Sequence, residues 1–171
     1  MVTAKVAHPQ PSIQDHSHEQ AVLGGCFRAA HRAAGDLLDG ALVCLQAEDF
    51  EPQHRAILGA ARDLRLSDRW PTLPEVTDAL RRRGDLDQIS GDVPGPDGEL
   101  VRARGALYLT ALLHATFTDA LLPHDVRDLK RSKARHTAAR LAEALTEAAQ
   151  RGRPLEDLAS TARLILAAVE P

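Results

Sequence analysis

Ala47-Glu48-Asp49-Phe50-Glu51-Pro52-Gln53-His54-Arg55-Ala56-Ile57-Leu58 is the stretch from which the fold can be read. Pro52 suits the first turn of a helix, where its missing N–H would have had no partner, and Glu48, Asp49 and Glu51 favour the positive end of the helix dipole. His54, Ile57, Leu58, Ala61 and Leu64 recur at three- and four-residue spacing, which places them on one face of that helix. Phe50 stands just outside the helix start and can fold back on this face, so it is expected to anchor a helical core.

Upstream, Ser17 and Gln20 have capping-box spacing ahead of Val22, Cys26, Ala29 and Ala33, a helical face that Gly35 ends. Asp36 can cap a shorter helix carrying Leu37, Leu38, Leu42, Val43 and Leu45. Residues 1–14 show no period and read as a flexible tail. Downstream, Thr72 and Glu75 form a second capping box before Leu73, Val76 and Leu80, and Gly84 follows Arg81-Arg82-Arg83 where a helix C-cap belongs. Residues 90–105, which begin rich in Pro and Gly, are predicted to be a surface loop. Leu107, Tyr108, Leu109, Leu112 and Leu113 then make a fifth helix that ends near Phe117.

From Leu121 to Gln150 the sequence supports one long helix of roughly 45 Å. Pro123 fits in its first turn, and Leu122, Val126, Leu129, Lys133, Leu141, Leu145 and Ala148 fall near one stripe. Arg151-Gly152-Arg153-Pro154 is a turn. A last helix carries Leu155, Leu158, Ala162, Ile165, Leu166 and Val169. It is too short to be stable alone, so it is expected to fold back antiparallel. The predicted fold is all-α: a compact helical head of about five helices over residues 15–117, then an antiparallel helical hairpin over 118–171. The hairpin leaves apolar surface for a second copy. Its candidate self-association residues are Leu122, Val126, Leu129, Leu141, Leu145, Leu158, Ile165 and Leu166. Burying each Leu would contribute roughly 1.5–3 kcal/mol, enough for a few of them to support a homo-oligomer.

Composition narrows the function. A chain of 171 residues can bury a core without staples, and Cys26 and Cys44, both among apolar residues on predicted helices, read as small reduced core residues. The first twelve residues lack the apolar core of a signal peptide and no run of 18 apolar residues occurs, so a cytoplasmic protein without a membrane partner is expected. A net charge of −3 opposes a globally basic nucleic-acid binder, and no aromatic residue follows Phe117 to act as a base-stacking platform. The three lysines, Lys5, Lys130 and Lys133, never follow glycine, which excludes a P-loop. His16-Ser17-His18-Glu19 has the wrong spacing for two metal ligands on one helix face, and His54 reads as a hydrogen-bonded boundary histidine. No nucleophile motif occurs. No catalytic residue, cofactor or metal is therefore expected. One charged feature remains: Arg127, Lys130, Arg131, Lys133, Arg135 and Arg140 face only Asp125 and Asp128 over one stretch of the long helix. A solvated flank explains such a run. As a contact surface, Arg127, Lys130, Arg131, Lys133 and Arg135 would suit an acidic protein partner or, more weakly, nucleic-acid phosphates.

The succession Glu19-Gln20-Ala21-Val22-Leu23-Gly24-Gly25, Ala47-Glu48-Asp49-Phe50 with His54 and Ile57, Thr72 to Leu80, Arg83-Gly84-Asp85-Leu86, and Gly105-Ala106-Leu107-Tyr108-Leu109 with Leu112 resembles the N-terminal domain of DnaB-type replicative DNA helicases. The resemblance runs from about residue 9 to residue 170. It implies a helical head and a hairpin that pairs between subunits, as a dimer or a trimer of dimers, in the N-terminal collar of a hexameric ring. It also implies contact with a replicative helicase or with primase. The helicase's linker and ATPase domain would begin at Pro171, so a non-enzymatic interaction module is expected, with a DNA-binding accessory protein as the alternative. Residues Asp92 to Arg104 stand as an insertion relative to the family. Phe117, Leu121 and Asp125 replace its proline, asparagine and tyrosine at the hairpin entry.

Overall fold

Gly24 and Gly25 decide how the helices meet. They lie within α1 (Ile13–His31), and a Cβ on Gly24 would overlap Thr116 Oγ1 and the Leu112 carbonyl, while one on Gly25 would stand 3.0 Å from Leu122. Two other helices approach α1 through these gaps. The computed structural model describes residues 13–94, 97, 99–116, 118–152, 158–160 and 162–164, with side chains from residue 18 onward. After α1 come α2 (Gly35–Cys44), a 3-10 turn (Ala47–Asp49), α3 (Pro52–Leu66) and α4 (Leu73–Arg83). A second 3-10 turn (Leu86–Gln88), strands β1 (Ser90–Pro94) and β2 (Leu100–Arg104), α5 (Gly105–Ala115) and α6 (Leu122–Gln150) complete the order.

The all-α expectation holds. Phe50 is buried beside the start of α3, with Ile57, Leu58, Ala61 and Leu64 on the inward face of that helix. The core joins these to Val22, Leu23 and Phe27 of α1, Leu38 of α2, Val76 and Leu80 of α4, and Tyr108, Leu109 and Leu112 of α5. Gly84 ends α4 in the left-handed conformation, with φ 76°, as its position after the arginines predicts. Arg28 ties α1 to the end of α5 by donating to the Leu113 carbonyl at 3.0 Å and to the Thr116 carbonyl. Arg32 pairs with Asp119 at 2.9 Å.

Several expectations are corrected. The loop expected over 90–105 instead contains two strands, Ser90–Pro94 and Leu100–Arg104, which pair antiparallel from Ser90↔Arg104 to Pro94↔Leu100. Val93 faces Val101 across the ribbon, and the small pair Gly91↔Ala103 lets it lie on the head. A Cβ on Gly91 would come within 2.5 Å of the Tyr108 ring. Ser17 and Gln20 do not cap α1, which begins at Ile13. Thr72 makes no side-chain cap on α4, and Glu75 pairs with Arg69 instead. Cys26 is buried and its thiol is pushed up to about 12 by that burial. Cys44, predicted to be a core residue, is exposed, since Leu38, Ala41 and Leu42 occupy the inward face of α2.

The long helix divides. Leu122, Val126 and Leu129 belong to the head's core, at 0%, 5% and 0% exposure. Beyond Lys133 the half-buried positions are Ala134, Ala138, Leu141, Leu145 and Ala148. The first set and Lys133 follow a four-three-four spacing, and the second follows four-three-four-three. Because Lys133 and Ala134 are consecutive, the two stripes are offset by about 100° around the helix. The single stripe expected from the sequence is thus two. Among the described residues no helix is long and apolar enough to cross a membrane.

Candidate functional site

The covered face of α6 changes at Lys133, and Lys133 reaches back into the head. Its Nζ donates to Glu19 Oε1 at 2.6 Å. Glu19 lies on α1, three, four and seven residues before the core residues Val22, Leu23 and Cys26, so helical geometry carries its carboxylate into the interior, where it is 0% exposed. The second oxygen, Oε2, faces His54 Nδ1 at 2.5 Å and accepts the Glu51 backbone N–H at 3.0 Å. Glu51 is the N-cap of α3 and its own side chain caps nothing. The Glu19 anion from α1 therefore sits at the positive end of α3.

The remaining bonds follow from donor and acceptor chemistry. A carboxylate only accepts, so His54 Nδ1 carries the proton toward Glu19. Nε2 stands 2.6 Å from the Tyr108 hydroxyl and, in the neutral ring, accepts from it. The Tyr108 oxygen in turn accepts from Gln20 Nε2 at 3.2 Å, and the same amide donates to the Asp92 carbonyl of β1, also at 3.2 Å. His54 and Tyr108 lie nearly parallel, with ring centroids 5.8 Å apart. The network joins α1, α3, α5, β1 and α6. Among the described residues no buried side-chain nitrogen or oxygen lacks a partner, the condition under which such a network rigidifies a core.

Electrostatics matches the geometry. Burial alone would raise the Glu19 carboxyl, but the bonds from His54, Lys133 and the Glu51 N–H outweigh it and hold the group below its ordinary value. Burial pushes the Tyr108 phenol up to about 12. The Glu19–His54–Tyr108 order has the connectivity of an acid, a base and a hydroxyl. Yet Glu19 and Tyr108 are both fully buried and the hydroxyl is occupied, so no substrate reaches it. The arrangement orients helices.

The predicted site residues separate into three groups. Leu122, Val126 and Leu129 are inside the head and do not form surface for a second copy, which corrects their place in the self-association set. Leu141, Leu145 and Leu158 are half-buried on the arm, while Ile165 and Leu166 lie outside the described residues. The basic run is also split. Lys133 is held by Glu19, and Lys130 pairs with Asp49 of the first 3-10 turn at 3.4 Å. Arg127, Arg131 and Arg135, spaced by four, are exposed. Arg127 donates to the Pro123 carbonyl, and Arg131 stands 4.0 Å from Asp128. Among the described residues Arg135 has no ion pair. Glu19, Gln20 and Tyr108 were not singled out by sequence as a site. The signal available was a polar residue on an otherwise apolar helical face. Among the described residues no cluster of His, Cys, Asp or Glu could hold a metal ion.

No protein-family model matches the sequence, and no curated protein matches it. Among solved structures, the chain is similar to the crystal structure of the N-terminal domain of DnaB helicase from Mycobacterium tuberculosis. The TM-score is 0.64 at 23% identity, over 95% of this chain and 98% of that one. An all-α head whose core runs into a long helical arm, with Glu19, Phe50, His54 and Tyr108 at its centre, is thus the fold of a DnaB helicase N-terminal domain.

Proposed function

We propose that the chain is a non-catalytic interaction module of DNA replication, which self-associates through the arm formed by the distal half of α6. It engages a replicative helicase or primase. The observation that carries this reading is the near-complete mutual coverage with a DnaB helicase N-terminal domain. The sequence has no P-loop, and the Glu19–His54–Tyr108 constellation is buried.

The arm supplies the seam for this pairing. Ala134, Ala138, Leu141, Leu145 and Ala148 alternate by four and three, the spacing of helices that pack side by side. Light scattering across micromolar concentrations tests self-association. An oligomer that Leu141→Glu with Leu145→Glu converts to monomer supports it, and a monomer throughout overturns it. Co-elution with the cognate helicase or primase tests the partner, and clean failure with both rejects it.

A second reading is favoured by one observation: Arg127, Arg131 and Arg135 form an exposed row with no strong internal counter-ion. Such a row suits carboxylates or phosphates, which guanidinium groups bind in pairs of hydrogen bonds. Arg127→Gln, Arg131→Gln and Arg135→Gln together should remove salt-sensitive retention of DNA or of an acidic partner. Retention that survives the triple change sinks this reading.

A further inference from the structure

We propose that Lys133 is a positioning residue: held by the buried Glu19 carboxylate, its ammonium fixes the direction in which the distal half of α6 leaves the head. The inference deepens the self-association reading and rests on it for its biological use, because the direction of the arm decides which face meets a second copy.

Glu19 divides its two oxygens between two tasks. Oε2 is satisfied within the head, by His54 at 2.5 Å and the Glu51 N–H at 3.0 Å. Oε1 receives Lys133 at 2.6 Å, a bond across 114 residues of sequence. Lys133 occupies the next core position after Leu122, Val126 and Leu129, where an apolar residue would have continued the packing. A buried ion pair adds little net stability over such a residue, but it is satisfied in one geometry, whereas an apolar contact tolerates sliding. The change of covered face falls at the next residue, Ala134. Arg135, His136, Thr137, Ala139 and Arg140 beyond it are exposed. Lys130, one turn earlier, meets Asp49 at 3.4 Å and is 42% exposed, so it is the weaker tether.

The neighbours make Glu19 a fixed anchor. His54 is locked between Glu19 and Tyr108, and the Tyr108 ring is covered by Gly91 of β1. Displacing the carboxylate would disturb three helices and the ribbon. The lysine is attached to α6, which continues past the head. Its loss therefore moves the arm while Oε2 keeps its bonds to His54 and Glu51.

Pulsed electron paramagnetic resonance on the full chain tests this, with one spin label on the exposed Cys44 and a second on Ala149→Cys, diluted with unlabelled chain. Cys26 is buried, with its thiol pushed up to about 12, and stays unlabelled. The expected result is one narrow distance distribution that Lys133→Met broadens or displaces and Lys133→Arg restores. Absorbance titration of Tyr108, the one tyrosine in the chain, reads the head independently. An unchanged distance in Lys133→Met overturns the proposal. So does a Tyr108 that titrates in its ordinary range in that variant, since Lys133 would then hold the head itself. Light scattering separates the two readings. A monomer whose head-to-arm distance depends on Lys133 removes self-association alone, and an oligomer whose distance does not removes positioning alone.

Discussion

The two halves of α6 are made of one helix but are buried to different depths. Leu122, Val126 and Leu129 are as buried as any residue of the head, whereas Leu141 and Leu145 are half-buried and their flanks exposed. A strict four-three spacing keeps a face in contact only while its neighbour stays on the same side. At Lys133 and Ala134 the spacing is broken by one residue, and the covered positions shift around the helix. One continuous helix thus carries core residues in its first half and a half-buried stripe in its second, and the Lys133–Glu19 ion pair stands at the junction.

The sharpest way to break this comparison is to truncate equivalent leucines on the two sides. Leu129→Ala is expected to destabilise the head by about 2–5 kcal/mol in urea unfolding, as does truncation of a buried leucine in general, and Phe50→Ala by about 3–5 kcal/mol. Leu145→Ala, on the arm, should leave head unfolding within about 0.5 kcal/mol, read by Trp70 fluorescence. Equal losses at Leu129 and Leu145 would mean that α6 is a single packed unit.

The head's helices were legible because each of them advertises itself locally. Pro52, Gly84 and the three-four spacing of Ile57, Leu58, Ala61 and Leu64 need no knowledge of the rest of the chain. The network was illegible for the opposite reason. Glu19 meets Lys133 across 114 residues of sequence, and nothing near residue 19 names residue 133. A trace was present all the same. Glu19, His54, Tyr108 and Lys133 are polar residues on apolar faces, and an anion, a cation, an imidazole and a phenol are complementary once they are buried. The ribbon was hidden by Pro94, Pro96 and the glycines, whose turn signal outweighed the apolar match of Val93 with Val101. The stripe on α6 misled because residues at 3.6-residue repeat drift around a long helix, so a list of leucines can cross from one face to another.

The shifted groups lie in the head that the proximal half of α6 joins, Glu19 on α1 and Tyr108 on α5, which makes pH a second way to separate the halves. The folded-state phenol of Tyr108 lies at about 12, above its unfolded value. Its contribution is complete below about 10 and is lost as pH rises through 12, amounting to roughly 2–3 kcal/mol. Glu19 has the opposite sign. Its carboxyl is depressed in the fold, so its contribution is present above the ordinary carboxylate range and is lost as pH falls through the lower folded value. Tyrosinate absorbance appearing near 10 in the native chain would show that the phenol is not sealed against the head.

The smallest effect concerns a cap that the sequence promises and the fold does not use. Thr72 precedes α4 with Glu75 three residues on, and a working capping box would make Thr72→Ala cost about 1 kcal/mol. In the structure the Thr72 hydroxyl caps nothing and Glu75 is turned to Arg69. What holds the start of α4 is backbone and packing: Thr72 N–H donates to the Trp70 carbonyl at 2.8 Å, and Val76 N–H to the Thr72 carbonyl at 2.9 Å. Both bonds survive alanine. Thr72→Ala is therefore expected to change stability by less than about 0.5 kcal/mol, the range of substitutions that remove no specific contact. A loss near that of a true cap would return Glu75 to the role its spacing suggests and leave Arg69 without its partner.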